Sequence, residues 1–316
     1  MHILIPSAGP WDDASQAGLN QLSLPNLGRL LSQLTLSNEL AADDRDLCTL
    51  AERVHARMEG LADTPGLIPR AALDASRLGL DTTSSAWAWL TPCHWNPQSN
   101  HVGMTDPDAL GLNDEDSRVF MDSMQSYCRE DGINLHYLSA STWLASGAVF
   151  QNLPTASLDR VRGQAIDPWM PRQEQAKPLR RLQNEMQMLL YAHPLNDQRS
   201  ARGLPTVNSF WVSGTGPLPK DWSANSQPMA KPLTQLNALH TARQTDDPHR
   251  WAQAWEQLDK AELGPLLPST IGQSVLTLTL CGEHKAQTYE HKLQSAWTRL
   301  RQRFTATPVH QVLQSL

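Results

Sequence analysis

The sequence predicts an α/β protein with a mainly parallel sheet flanked by helices. Three observations carry this. Short apolar runs of strand length stand at residues 2–5, 133–138, 207–212 and 275–281. Stretches with apolar residues at helical spacing lie among them. Strand-like and helix-like segments alternate along the chain, the signature of a sheet covered by helices. At 316 residues and 40% hydrophobic content, the chain can hold one large α/β domain or a core with a smaller insertion.

Residues 2–5 form an apolar run closed by Pro6, Ser7 and Gly9, a first buried strand. Leu24-Pro25-Asn26-Leu27 opens a helix with Leu27, Leu30, Leu31 and Leu34 on one face. Asp46 is the expected cap of a second helix carrying Leu47, Leu50 and Val54. Residues 86–90 alternate and fit a strand, and residues 91–108, with three prolines, read as loop. Asn113 caps a helix to about Arg129, with Phe120, Met124 and Tyr127 inward, and residues 133–138 follow as a strand. Residues 139–177 mix glycine, proline and short apolar runs. The expected division is a core of residues 1–108 and 178–316 with a smaller inserted region at 109–177.

The stretch 180–217 is the centre of the chain. A helix opens at Pro178, whose missing N–H has no partner in a first helical turn. Leu179, Leu182, Met186 and Leu189 share one face, and Arg181 and Glu185 stand four apart, close enough to pair. Asn184, Glu185 and Gln187 fit a solvent face, with a polar network or cleft lining as the other reading. His193-Pro194 ends the helix. A polar turn and a strand over 207–212 follow, broken by Gly214-Thr215-Gly216. Beyond it, 217–235 is a proline-rich surface loop, and 248–262 an amphipathic helix with Trp251, Trp255 and Leu258 inward. Residues 275–281 form a strong strand ending in Gly282-Glu283-His284, and 289–304 a helix with Leu293, Trp297 and Leu300 inward.

Net charge is −6 and unevenly placed. Residues 1–158 carry 19 acids, 8 bases and no lysine, whereas residues 159–202 carry 5 acids and 8 bases. The basic middle reads as a solvated helical face or as an anion-binding cleft fed by Arg199 and Arg202. No broad basic stripe points to nucleic acid. The four cysteines (Cys48, Cys93, Cys128, Cys281) lack metal or redox spacing. With no export signal at the N-terminus, they are expected to be reduced thiols in a cytoplasmic protein. No apolar run approaches the ~20 residues of a membrane helix.

The central stretch resembles the archaeal-type, cofactor-independent phosphoglycerate mutases, in the residues His193-Pro194-Leu195-Asn196 with Arg199, Gly203-Leu204-Pro205 with Asn208, and Ser213-Gly214-Thr215-Gly216. Echoes in the same order extend over most of the chain: Leu24-Pro25-Asn26-Leu27, Asp106-Pro107, the segment 159–171 with Met170-Pro171, and Leu258-Asp259 with Gly264-Pro265-Leu266. The chain also looks like a bacterial group labelled phosphoglycerate-mutase-like or RpfE-type regulatory proteins. The resemblance implies an alkaline-phosphatase-like core, two manganese or magnesium ions, and a serine nucleophile that takes up a phosphoryl group.

Departures fall on the chemistry. The metal-binding aspartate that closes the family's first strand is replaced by Pro6-Ser7-Ala8-Gly9. The family's Asp-x-x-Gly-His segment faces residues 240–246, from His240 to Asp246, without that spacing. Its late Asp-His pair faces Glu283-His284, with His291 closer than expected, and the arginine of its glycine loop is replaced by Ser213. The nucleophile region aligns near Ser99 and His101.

Each candidate has a functional and a structural reading. Asn196, Arg199, Arg202 and Asn208 are candidate ligand contacts, or ties within a turn. Gly214 and Gly216 admit an anion to the backbone, or make a tight strand exit. Ser99 and His101 are the catalytic candidates, and Glu283, His284 and His291 the candidates for a residual metal. Cys93-His94 lacks a third orienting group, and Trp87, Trp89 and Trp95 read as core or pocket wall. The leading expectation is a pseudoenzyme: a mutase-like regulatory binder of a small phosphorylated or carboxylated ligand, without the dinuclear site. The alternative is an active phosphomutase or phosphohydrolase using manganese or magnesium at a rearranged site of Ser99, His101, Glu283 and His284. A third reading is a protein-interaction partner with a tryptophan-rich surface.

Overall fold

The computed structural model describes residues 1–220, 222, 232–267, 276–291 and 308–316. Contacts divide the chain into two compact units, Met1–Arg45 with Pro228–Leu316, and Asp46–Gln227.

The first unit opens with β1 (His2–Ile5), buried along its whole length, as an unbroken apolar run requires when both faces are covered. Helix α1 (Asp13–Leu19) starts at a capping box between Asp12 and Ser15. Helix α2 (Pro25–Gln33) buries Leu27 and Leu30, and leads into β2 (Thr35–Ala41).

The chain then builds the second unit. Helices α3 (Leu50–Met58) and α4 (Arg70–Arg77) precede β3 (Trp87–Cys93). A hairpin of β4 (Trp95–Pro97) and β5 (Val102–Met104) follows, then α5 (Asp114–Glu130), β6 (Asn134–Ser139), β7 (Thr142–Ser146) and α6 (Leu158–Val161). Helices α7 (Lys177–Tyr191) and α8 (Pro194–Ala201) lead to β8 (Ser209–Gly216). Strands β6, β7, β3 and β8 form one antiparallel sheet in that order.

The first unit is completed by β9 (Leu233–Gln235), α9 (Ala238–Gln244), α10 (Pro248–Leu258), β10 (Thr277–Cys281), β11 (Lys285–Glu290) and α11 (Val309–Gln314). Its sheet has the order β2-β11-β10-β1-β9. Strand β1 pairs in parallel with β10 and β9, while β11 runs antiparallel to β10 and β2. Only β11 therefore opposes the other four strands. Ile3, Ile5, Leu278 and Leu280 pack with Leu19, Leu27, Leu30, Trp251, Trp255 and Leu313 of the helices. The expected α/β class, with a mostly parallel sheet and flanking helices, is the one observed in this unit.

Several expectations change. The inserted region at 109–177 is part of the larger second unit. One apolar core joins Leu90, Phe120, Trp143, Leu179, Met186 and Phe210, so a boundary at either end of 109–177 would cut through it. The second helix is capped by Thr49, not Asp46, because the Thr49–Glu52 pair completes a capping box. Residues 91–108 contain the β4–β5 hairpin. Tyr127 is exposed at 40%, on the outer side of α5. The polar turn after His193 is α8, with the His193 side chain as its cap. Strand β8 continues through Gly214 to Gly216, and β9 ends the loop at 217–235, of which 221 and 223–231 lie outside the described residues. Tyr289 belongs to β11, while the rest of the expected helix at 289–304, from residue 292 on, and residue Val275 lie outside the described residues. Of the described tryptophans, Trp11, Trp89, Trp169 and Trp222 are half-buried and the others buried.

Candidate functional site

Ligands of open α/β sheets gather at the carboxyl ends of parallel strands. In the first unit that place is the loop after β1. Ala8 N donates to Cys281 O at the end of β10 (2.7 Å). The indole N–H of Trp251 donates to Ser7 O (2.8 Å), and that of Trp255 to Ala8 O (3.2 Å). So pinned, Ser7 holds φ at +54°, a left-handed conformation that a serine adopts only at a cost of about 1 kcal/mol or more.

The Ser7 hydroxyl lies 3.3 Å from His240 Nδ1. The other ring nitrogen, Nε2, lies 3.0 Å from the amide nitrogen of Gln244. The Gln244 amide can meet either imidazole tautomer by presenting its oxygen or its nitrogen, and the Ser7 hydroxyl can donate to Nδ1 or accept from it.

Arg243 follows His240 by three residues on α9, and so shares its helical face. Its Nε is 3.6 Å from Glu283 Oε1, and its Nη1 3.2 Å from Asp246 Oδ1. The guanidinium stands 4.7 Å from the Trp11 ring centroid, and the Trp11 indole donates to Asp246 (2.9 Å). Residues of α9, Asp246 and Glu283 thus meet here around an arginine. His284 turns to Asp44 (3.3 Å), away from Glu283's partner. His284 and His291 lie at opposite ends of β11, roughly 20 Å apart at the rise of an extended strand, too far to share one metal. Among the described residues, no group of three or more His, Cys, Asp or Glu side chains converges as a metal site.

The central stretch in the second unit is put to other use. Asn196 is buried; its amide donates to Leu190 O and Val207 O (both 2.7 Å), and its carbonyl accepts from Val207 N (2.9 Å). Arg199 has no accessible surface and donates to Pro205 O (3.0 Å), Asp116 (3.3 Å) and Leu110 O. Arg202, half exposed, shares Asp116 at 3.4 Å. Asn208 clamps β4 by bonding both backbone groups of Trp95 (2.7 and 2.9 Å). These residues tie α8, β8 and β4 together.

The basic middle of the chain is also spoken for. Arg162 pairs with Asp106 and Asp108, Arg181 with Asp131 and Glu185, and Lys177 with Glu174. Asp106, Asp108 and Asp131 of the preceding segment thus take up two of its bases, while Arg172 and Arg180 donate to backbone carbonyls. Ser99 is exposed in the turn of the β4–β5 hairpin, and His101 bonds Asn100 there (2.7 Å). Cys93 is fully buried and burial pushes its thiol up, while His94 bonds Thr206 O (2.9 Å), so the pair is no nucleophile site.

Gly214 and Gly216 lie in a bulge, where residues 213–216 oppose Trp87–Trp89. Gly214 has φ +63°, and a Cβ there would stand 2.8 Å from the Trp89 ring. Trp89 and Gly214 line a cavity of about 290 Å³ with Glu52, Arg70, Asp74 and Asp159. Sequence reading missed this group, because its members are scattered from residue 52 to residue 214 and form no local motif.

These features define an α/β protein with a polar cluster at the carboxyl ends of a mostly parallel sheet. No family model matches the sequence, and no curated protein matches it significantly. The structure is similar to that of the PH0037 protein from Pyrococcus horikoshii, with a TM-score of 0.52 at 13% identity, over 92% of this chain and 86% of that one. A cofactor-independent phosphoglycerate mutase from Thermoplasma acidophilum DSM 1728 aligns over 92% of this chain and 90% of its own at 14% identity, with a TM-score of 0.40. The first likeness speaks to the fold; the second is too weak to carry more. Among the described residues, no helix is long and apolar enough to cross a membrane.

Proposed function

We propose that this is a phosphoglycerate-mutase-like protein of the alkaline-phosphatase type whose dinuclear metal site has degenerated. It binds a small phosphorylated or carboxylated ligand in a regulatory, non-catalytic role. One observation carries the reading. At the carboxyl ends of β1 and β10, where the resemblance expects metal ligands, a guanidinium stands between Asp246 and Glu283. A fixed cation there repels a divalent ion and occupies the carboxylates that would hold it. The pair with the exposed Asp246 is weak, so the same guanidinium can exchange that carboxylate for a ligand oxyanion, with the Ser7 hydroxyl beside His240 as a second polar contact. Ser7's unfavourable backbone geometry supports the reading, since such strain persists where surrounding structure imposes it for a purpose.

A thermal-shift titration of the full chain with 3-phosphoglycerate and with inorganic phosphate tests this, alongside elemental analysis of the purified protein. The expected result is stabilisation by the anion, lost in Arg243→Gln, and less than one equivalent of metal. Two equivalents of manganese, or turnover of a phosphate ester, would overturn the proposal and favour the phosphomutase alternative.

A further inference from the structure

The antiparallel sheet of the second unit has two unlike faces. Ala88, Leu90, Trp143, Phe210 and Val212 turn one face into the apolar core. Side chains alternate along a strand, so Trp89 and Thr91 of β3 point the other way. Ser213 stands opposite Trp89 in the register and shares that second face. Trp89, Thr91 and Ser213 all line the cavity of about 290 Å³. Thr91 and Ser213 are only 4% and 3% exposed, yet among the described residues neither hydroxyl has a hydrogen-bond partner. A buried hydroxyl without a partner loses its hydration uncompensated, so these two call for hydrogen bonds from whatever fills the space.

The charges of the lining are engaged in the wall itself. Asp74 accepts from the Trp89 indole N–H (3.1 Å) and pairs with Arg77 (3.2 Å). Arg70 is turned to Glu59 (3.6 Å). Glu52 accepts from the backbone and hydroxyl of Thr49 (2.7 and 3.0 Å), and Asp159 acts on Arg162. Such a wall favours an uncharged ligand bound through hydrogen bonds over an ion of either sign. Hydroxyls such as those of Thr91 and Ser213 both donate and accept, which matches them to ligand hydroxyls. The Trp89 indole adds a flat apolar surface. It is fixed by its bond to Asp74 and by Gly214, where a Cβ would stand 2.8 Å from the ring. A pyranose sugar fits such a lining, with C–H groups on the faces of its ring and hydroxyls around its rim, and the volume suits one small molecule.

We infer that this cavity binds an uncharged monosaccharide, held by the Thr91 and Ser213 hydroxyls against the Trp89 indole. It shares no residue with the proposed anion site, and either can fail without the other. Calorimetric titration of the full chain with D-glucose, D-galactose, D-mannose and D-xylose tests it. The controls are choline and tetrahydropyran-2-methanol, a pyranose ring stripped of its ring hydroxyls. The best of the sugars should bind about tenfold or more tightly than either control, because a site built to bond hydroxyls rejects the analogue that lacks them. Saturating inorganic phosphate, the probe of the anion site, should leave that affinity unchanged. Thr91→Val and Ser213→Ala should each weaken the sugar about fivefold without lowering the urea midpoint, since neither hydroxyl has a protein partner to lose. No heat with any of the sugars at tens-of-millimolar concentration, equal or tighter binding of a control, displacement of the sugar by phosphate, or an affinity indifferent to both substitutions would each overturn the inference.

Discussion

Arg199 has no accessible surface, and its guanidinium is committed to Pro205 O, Leu110 O and Asp116. Removing one partner of a buried charged network leaves the others unpaired. Arg199→Ala is therefore expected to lose about 3–5 kcal/mol of stability in urea denaturation. Arg199→Lys should rescue little, because an ammonium cannot reproduce the planar fork that reaches three acceptors. Glu52 makes the opposite argument. Its pKa is raised above the ordinary 4.5, by burial first and by Asp159 next. A carboxyl raised on folding favours the folded state when protonated. That contribution is full below the unfolded pKa and is lost as pH rises through the folded one. At neutral pH and above, Glu52 thus lowers stability. Glu52→Gln should be more stable than the parent at pH 8, with the advantage shrinking towards pH 4, as read from denaturation midpoints at the two pH values. The four thiols are buried, and burial pushes Cys48 and Cys128 up to about 12.

At the scale of elements, β8 shows how one glycine sets a strand's course. Residues 213–216 place one extra residue opposite β3, and Gly214 takes a left-handed φ of +63°. Gly214→Ala adds both the left-handed penalty and a Cβ 2.8 Å from the Trp89 ring. A loss of roughly 2–4 kcal/mol is expected in urea unfolding. The start of α2 depends on a distant residue. Asp259, buried at 2%, lies in the π-helical turn (Asp259–Leu263) after α10 and accepts from Asn26 N (3.2 Å) and Leu27 N (2.7 Å). Two motifs of the sequence resemblance, 232 residues apart, thereby meet as cap and helix. Leu24 at the N-cap cannot satisfy those amides itself.

At the scale of the molecule, the chain forms two units, and one interrupts the other. The acid-rich early half and the base-rich middle find each other within the second unit, through pairs such as Arg162 with Asp106 and Arg181 with Asp131. The first unit keeps the sheet whose carboxyl ends collect Ser7, His240, Arg243 and Glu283. The proposed anion site is thus built from residues of the first unit alone.

The sequence by itself determined what local pattern can encode. The run at 2–5 had to be a buried strand, the Leu27–Leu30 and Trp251–Trp255–Leu258 spacings had to be helix faces, and Asn113 had to be a cap. Periodicity and capping act over a few residues, and a single chain displays them. Tertiary structure alone decided which polar residues are structural. Arg199 and Asn196 carried both readings, ligand contact and tie within a turn, until their acceptors at Leu110, Pro205 and Val207 were in place. It also decided that residues as far apart as Ser7, Arg243 and Glu283, or Glu52, Trp89 and Gly214, stand in common sites. Such meetings arise from strand order and sheet packing, which bring distant segments together without leaving any spacing in the sequence.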